Sequence, residues 1–114
     1  MTRKTFKVEN YKVGLGHAMS ATWGGTPIKA RGYVTCYGEG HRLIIYGLTD
    51  ESSLPNPMFV VENRVGALFL PFDELGGFVD LVRNEKPIYA YLNSDKPEWI
   101  SLRTSNEPVG EEES

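Results

Sequence analysis

Basic and aromatic side chains alternate with apolar ones between Ile28 and Tyr37. Successive side chains of a strand point to opposite faces, so the pattern predicts one core face and one solvent face. The core face would hold Ile28, Ala30, Gly32, Val34 and Cys36, and the solvent face would hold Lys29, Arg31, Tyr33, Thr35 and Tyr37. Cations interleaved with rings suit single-stranded nucleic acid, because Lys and Arg neutralise phosphates while bases stack on aromatic side chains.

The segment from His41 to Leu48 extends this surface. If a two-residue Glu39-Gly40 loop closes a hairpin, Val34 faces Ile45, Cys36 faces Leu43, Tyr33 faces Tyr46 and Tyr37 faces Arg42. A one-residue slip would bury Arg42 beside Cys36, and the cost of an unpaired buried charge excludes that register. The predicted nucleic-acid-binding residues are therefore Lys29, Arg31, Tyr33, Tyr37, Arg42 and Tyr46. An ordinary exposed strand face contains the same residue types, so a structural role stays open.

A second aromatic group lies near the end of the chain and gives an alternative ligand-binding or interface site. Its residues are Tyr89, Tyr91, Trp99 and Arg103. A hairpin closed across residues 93–97 would place Tyr91 opposite Trp99 and Tyr89 opposite Ser101. Core or dimer packing explains this group equally well, because monomers seldom expose large apolar patches.

Residues 14–25 contain four glycines together with His17, Met19 and Trp23. Glycine-rich loops on a rigid sheet often carry function. The same residues are also compatible with two strand ends that meet at Trp23-Gly24-Gly25-Thr26. Both interpretations stay open at this stage.

Familiar catalytic patterns do not occur in the sequence. Gly14-Leu15-Gly16 lacks the third glycine of a dinucleotide fingerprint, and neither a Walker phosphate loop nor a nucleophile elbow is found. Cys36 falls on the predicted core face and should be an inert buried thiol. His17 and His41 have no carboxylate at ligand spacing. We therefore expect a non-enzymatic protein with no catalytic residues, no metal and no cofactor.

Dense turn residues separate short segments rich in Val, Ile, Tyr and Phe, which is typical of antiparallel strands. The predicted strands are 5–13, 28–37, 41–48, 58–70 (with a possible break at Glu62-Asn63), 87–92 and 98–103. Helical spacing of Leu75, Phe78, Val79 and Val82 predicts one helix over about residues 73–84, with Asp73 as N-cap. Its Gly76-Gly77 pair indicates either a late helix start or close approach of a partner backbone.

These elements predict an α+β fold. We expect an antiparallel, strongly bent sheet or partial barrel of five to seven strands, one helix (about residues 73–84) and a C-terminal β-hairpin. Residues 1–104 should form one globular domain, and residues 105–114 a disordered acidic tail. Exposed sheet edges favour pairing, so we expect a homodimer.

The charges of the 114-residue chain are unevenly distributed. Residues 1–49 carry seven Lys and Arg against two acidic residues, and residues 50–114 carry five against thirteen. Such asymmetry indicates an anionic partner or an acidic tail. A single cysteine excludes an intrachain disulfide, and no apolar segment follows the basic start or is long enough to span a bilayer. We expect a cytoplasmic protein without a membrane partner.

Several strands followed by a helix, with a basic aromatic sheet face, are similar in architecture to the Whirly and positive-cofactor families of single-stranded DNA binders. The likeness covers architecture and no motif, so it assigns no site residues. From the residues themselves we expect a binding module for single-stranded DNA or RNA. The alternative is a protein-interaction or small-ligand-binding domain.

Overall fold

The computed structural model describes residues 2–49 and 54–104, without the side chains of His17 and Ala18. Within these residues the chain forms eight strands and one α-helix. The strands are β1 Arg3–Lys7, β2 Asn10–Trp23, β3 Thr26–Gly38, β4 His41–Leu48, β5 Met58–Val60, β6 Val65–Pro71, β7 Tyr89–Asn93 and β8 Ser101–Arg103, and the helix is α1 Leu75–Asn84. Short 3-10 turns occur at Val61–Asn63, Phe72–Glu74 and Pro97–Trp99. The predicted acidic tail, residues 105–114, lies outside the described residues.

The strands form a large sheet with the order β2-β3-β4-β6-β5 and a small sheet with the order β1-β7-β8. The predicted class is confirmed: an α+β fold with a bent, open, mainly antiparallel sheet, one helix and a C-terminal hairpin. One pair, β4 with β6, is parallel. Between β4 and β6 the chain forms β5, which pairs antiparallel with β6. The chain therefore reverses direction after β5, and β6 runs in the same direction as β4.

The β3–β4 hairpin has the predicted register. Tyr33 pairs with Tyr46, and Tyr37 pairs with Arg42. Glu39 and Gly40 form the turn with φ angles of 49° and 76°. Positive φ at both central residues is the geometry whose twist matches the two flanking strands. This tight turn fixes which side chains of β3 and β4 share a face.

The start of the chain differs from the prediction. Residues 5–13 belong to two strands, because the chain passes from the small sheet to the large sheet between Val8 and Glu9. The Val8 amide donates to the Ile88 carbonyl (2.8 Å), and the Glu9 amide donates to the Tyr37 carbonyl (2.7 Å). Residues 14–25 are not a loop: residues 14–23 are the second part of β2, and Gly24 and Gly25 form the turn into β3.

Helix α1 begins at Leu75, after the 3-10 turn, so the predicted N-cap at Asp73 is wrong. Glu74 occupies the N-cap position and makes no side-chain capping hydrogen bond. The predicted apolar side of the helix is confirmed: Leu75 and Val82 are buried, and Phe78 and Val79 are partly buried. The segment 58–70 is broken at Val61–Asn63, close to the expected position.

The register of the C-terminal hairpin is also wrong in the prediction. Tyr91 pairs with Ser101, and Tyr89 pairs with Arg103. The shift occurs because Pro97–Trp99 forms a 3-10 turn instead of extended strand, which leaves only Ser101–Arg103 to pair with β7.

The main core lies between one side of the large sheet, α1 and the small sheet. We call this side, which bears Val34, Cys36, Leu43 and Ile45, the helix face. Phe6, Ala90 and Leu92 enter the same core from the small sheet, and Leu75 and Val82 enter it from α1. A second cluster occupies part of the opposite side and contains Ile28, Ala30, Leu48, Ala67 and Phe69. The large sheet therefore has apolar contacts on both of its faces.

Cys36 should be unreactive in the folded protein. Its side chain is fully buried, and desolvation by burial raises the pKa of the thiol to about 12. Because the thiolate is the reactive form, a thiol reagent should label Cys36 slowly at mildly alkaline pH until denaturant is added. Rapid stoichiometric labelling of folded protein would contradict the position of Cys36 in the core.

Gly77→Ala should stabilise the protein. A Cβ at Gly76 or Gly77 would have no heavy atom within 4 Å among the described residues, and both glycines lie within α1. Since Ala favours the helix over Gly, the free energy of unfolding should rise by about 0.5–1 kcal/mol. Gly47→Ala is the control, because its Cβ would lie 3.1 Å from Phe72 Cα and 3.2 Å from Leu75 Cβ. Urea titration should show opposite signs for the two variants.

Candidate nucleic-acid interface

A bulge at Arg31 divides the predicted site. Ala30 pairs with Leu48 and Gly32 pairs with Gly47, so Arg31 has no partner of its own on β4. One extra residue reverses the faces on either side of a bulge. Accordingly, Ala30 packs in the second cluster, whereas a Cβ at Gly32 would meet Leu75 on the helix face.

Lys29 and Arg31 are consequently separated from the tyrosines. Lys29 alternates with the buried Ile28 and Ala30 and is exposed on the other side of the strand. The Arg31 guanidinium carbon lies 4.6 Å from the centroid of the Phe72 ring, beside the start of α1. Such a cation–π contact gives Arg31 a structural role next to the helix.

The other four predicted residues share one side of the large sheet. Tyr33, Tyr37 and Tyr46 are partly buried there, and Arg42 is exposed. We call this side, opposite the helix face, the tyrosine face. The pairs Tyr33 with Tyr46 and Tyr37 with Arg42 place the four side chains in two neighbouring rows. The structure thus brings together four of the six predicted residues.

Two residues of β2 also belong to the tyrosine face and were missed from the sequence. Lys12 pairs with Thr35, and its Nζ lies 5.7 Å from the centroid of the Tyr37 ring. A Cβ at Gly14 would overlap the ring of Tyr33, so the absence of a side chain at Gly14 lets that ring lie across β2. The alternation of Asn10, Lys12 and Gly14 with Tyr11, Val13 and Leu15 is the signal that a strand interpretation would have used.

The distal part of the β2–β3 hairpin, residues 19–30, bends over the tyrosine face, and we call it the hairpin arm. Register irregularities fall between Leu15 and Met19 in β2 and between Ala30 and Gly32 in β3. Trp23, near the hairpin tip, donates a hydrogen bond from Nε1 to the Tyr46 hydroxyl (3.0 Å). Its ring also lies 6.4 Å from that of Phe69 on β6. The tip therefore reaches across two strands of the sheet.

This hairpin arm and the tyrosine face enclose a groove of about 350 Å³. The lining residues are Lys12, Met19, Ser20, Ala21, Ala30, Tyr33, Thr35, Tyr37, Ile44 and Tyr46. Tyr46 stacks on Phe69 with a centroid distance of 5.6 Å and an interplanar angle of 6°. One face of the Tyr46 ring is thereby covered by Phe69, while Tyr33 and Tyr37 line the rest of the groove.

Two cations lie at the tyrosine face: Lys12 lines the groove, and Arg42 is paired with Tyr37 beside it. Among the described residues, no carboxylate lies within ion-pairing distance of Lys12 or Arg42. The nearby Glu39 carboxylate is turned toward β1, where it accepts hydrogen bonds from the Lys7 amide (3.1 Å) and Lys4 Nζ (3.0 Å). These contacts, the amide first, lower the pKa of Glu39, so its charge is held at the β1 side of the turn.

The second predicted aromatic group does not form one exposed patch. Tyr91 is 1% exposed and its hydroxyl accepts a hydrogen bond from Asn93 Nδ2 (2.9 Å). The Arg103 guanidinium lies over the Tyr91 ring at 4.6 Å, and Lys96 Nζ lies over Trp99 at 4.7 Å. Tyr91 therefore contributes packing, and only Tyr89, Trp99 and Arg103 retain partial exposure.

Metal-binding geometry is not seen in the described part of the chain, where no three His, Cys, Asp or Glu side chains converge. His41 packs between aromatic rings, with centroids 6.1 Å from Phe6 and 6.4 Å from Phe59. The side chain of His17 lies outside the described residues. In the described residues, no helix is long and apolar enough to cross a membrane.

In comparisons with known proteins, no family model, curated protein or solved structure matches this chain.

Tyr46→Phe tests whether the Trp23 hydrogen bond holds the hairpin arm in place. Loss of the hydroxyl leaves the Trp23 donor without its partner and should lower the free energy of unfolding by about 0.5–1.5 kcal/mol. Tyr37→Phe is the matched control, because the Tyr37 hydroxyl has no hydrogen-bond partner among the described residues. Urea titration of both variants measures the difference. Equal effects would contradict the role assigned to the Trp23–Tyr46 contact.

Proposed function

We propose that this protein is a non-enzymatic binding module for single-stranded nucleic acid, and that the tyrosine face is the binding surface. The observation that carries the proposal is the placement of Tyr33, Tyr37 and Tyr46 in one open groove with Lys12. Arg42 lies on the same sheet face, paired with Tyr37. Rings supply stacking platforms for bases, and the cations neutralise phosphates.

The spacing of the rings suits a strand with splayed bases. Tyr33 and Tyr37 are four residues apart on β3, which corresponds to about 13 Å along the strand. Tyr46 lies beside Tyr33 on the neighbouring strand, so one end of the groove has a pair of rings. The other end has Tyr37 with Lys12 and Arg42. Two stacking positions with cations at one end indicate a short footprint of a few nucleotides and weak binding with little base preference.

The overall charge of −3 does not oppose this proposal. Residues 1–106 contain twelve basic and eleven acidic side chains, so the globular part is nearly neutral and the excess negative charge belongs to the last eight residues. Association with a polyanion depends on the local field of a groove more than on the net charge of the chain.

We further propose that the protein works as a homodimer in the cytoplasm. The long strand β2 at one end of the large sheet is available for pairing. A reducing compartment suits a chain whose single cysteine is buried and unpaired.

For the alternative function, a small-ligand or protein-interaction domain, the candidate site is no longer the C-terminal hairpin but the groove. Tyr91 is buried, so the C-terminal hairpin offers less of a ligand surface than the sequence indicated. The former glycine-rich loop instead forms the arm that covers part of the groove, whose volume lies near the lower end for small-molecule sites. A planar organic ligand is therefore the competing occupant of the same groove.

Fluorescence anisotropy with a labelled oligothymidylate tests the proposal at salt concentrations of about 50 and 200 mM. Affinity should fall as salt rises. Arg42→Ala and Lys12→Ala should each reduce the salt dependence by about one unit of slope, and Tyr37→Leu should weaken binding by about 1–3 kcal/mol. Lys86→Ala is the matched control, because Lys86 is an exposed cation beyond the C-terminal end of α1.

Two outcomes would overturn the proposal. The first is no salt-dependent binding at high micromolar protein, and the second is an equal loss for Lys86→Ala and Arg42→Ala. Salt-independent, saturable binding of a neutral planar dye, blocked by a bulky residue at Ala21, would instead support the small-ligand alternative.

A further inference from the structure

Strand β2 is an unusually open edge. Among the described residues the two sheets end in β2, β5, β1 and β8. β5 and β8 are three residues long, and β1 carries Arg3, Lys4 and Lys7. Short length and cationic side chains are the devices that protect an edge from further pairing. From Asn10 to Leu15, β2 pairs regularly with β3 on one side, leaves the other side free, and contains a single cation, Lys12.

The same stretch has three exposed apolar side chains at alternate positions. Tyr11 is 40% exposed, Val13 is 38% exposed and Leu15 is 69% exposed. All three lie on the helix face, because they pair with Cys36, Val34 and Gly32. Beside Tyr11 begins a groove of about 870 Å³ that Val82 of α1 and Ile88 also line. An exposed apolar row along a free edge is a pairing surface.

We propose that a second copy of this chain pairs antiparallel with β2 about a two-fold axis through Val13. In this register Val13 meets Val13 of the partner subunit, and Tyr11 meets Leu15 of the partner subunit. The whole apolar row is then covered by its own copy, as an isologous interface requires. Leu15 of the partner subunit reaches the mouth of the groove beside Tyr11.

Charge and strand regularity favour an axis through Val13 over axes through Lys12 or Gly14. Residues directly opposite in an antiparallel pair share a face, so only axes through a residue keep apolar side chains together. An axis through Lys12 would place two ammonium groups opposite each other, which is destabilising. An axis through Gly14 would extend the pairing past Leu15 into the irregular part of β2. With the axis at Val13, Lys12 instead lies opposite Gly14 of the partner subunit.

The pairing also completes the tyrosine face, a consequence that rests on the proposed function. Among the described residues that line the groove, none at its Tyr33 end is a cation. Since the ring of Tyr33 lies across Gly14, Lys12 of the partner subunit would arrive next to that ring. The two-fold axis that relates antiparallel neighbours is perpendicular to the sheet, so it keeps both tyrosine faces on one side. The dimer would thus present one continuous ten-stranded surface with a cation near each ring group.

Sedimentation equilibrium of the full chain, without nucleic acid, tests the dimer. We expect a dimer for the wild type and at least a ~tenfold rise in the dimer dissociation constant for Val13→Lys, about 1.4 kcal/mol or more. Val61→Lys is the matched control, because Val61 is 36% exposed on the turn next to β5, at the opposite edge. If circular dichroism shows that Val13→Lys does not fold, Leu15→Lys, at a more exposed site, replaces it.

Disulfide trapping tests the register. Val13→Cys should cross-link two copies under mild oxidation, because opposite Cα atoms in an antiparallel pair lie about 4.5–5.5 Å apart, within disulfide range. Leu15→Cys should not, because its two copies would be about 14 Å apart along the strands. Cys36 does not interfere, since it is buried.

A monomeric wild type at high micromolar concentration, a dimer unaffected by Val13→Lys, or trapping at Leu15→Cys instead of Val13→Cys would each overturn the inference. These measurements contain no oligonucleotide, so they can fail while oligonucleotide binding by the groove succeeds, and the reverse.

Discussion

The bulge at Arg31 allows a single strand, β3, to be buried on opposite faces at its two ends. Before the bulge, Ile28 and Ala30 pack in the cluster on the tyrosine face; after it, Val34 and Cys36 pack in the main core. A regular strand would have placed all four on one face. The extra residue also bends the β2–β3 hairpin, because a bulge increases local twist. The groove between the hairpin arm and the tyrosine face depends on that bend.

Close packing on the helix face limits where the bend can occur. A Cβ at Gly32 would lie 2.8 Å from Leu75 Cδ2 and 3.0 Å from Phe72 Cε1, so the sheet and the start of α1 are in direct contact there. The Arg31 side chain then covers the Phe72 ring from the solvent side. The sheet is held against the helix up to Gly32, and the strand is free to turn away only beyond that contact. The position of α1 thus explains why the arm begins at this residue.

Much of the local structure follows from the sequence, and the errors have identifiable causes. The Glu39-Gly40 turn and the cost of burying Arg42 determine the β3–β4 register, and apolar periodicity determines the buried side of α1. The bulge is not visible in the sequence, because Ile28, Ala30, Gly32 and Val34 are all buried and the alternation continues while the faces change. In β2, the glycines led to the prediction of a loop. Gly14 is instead a strand residue, whose missing side chain makes room for the Tyr33 ring of the neighbouring strand. At the C-terminal hairpin, local 3-10 geometry after Pro97 outweighed strand propensity.

The hairpin arm covers only part of the tyrosine face. The covered part and the open part of this face therefore carry different residue types. Where the arm lies, its Ile28 and Ala30 pack with Leu48, Ala67 and Phe69 of the neighbouring strands in a buried apolar cluster. Where the face is open, β3 presents the partly buried Tyr33 and Tyr37 on either side of the buried Thr35. A tyrosine suits such a position, because it combines an apolar ring with a polar hydroxyl. The helix face of the same sheet is closed by α1, from which Leu75 and Val82 enter the main core. One sheet therefore separates a closed apolar core on its helix face from a face whose open part is lined by tyrosine rings and Lys12.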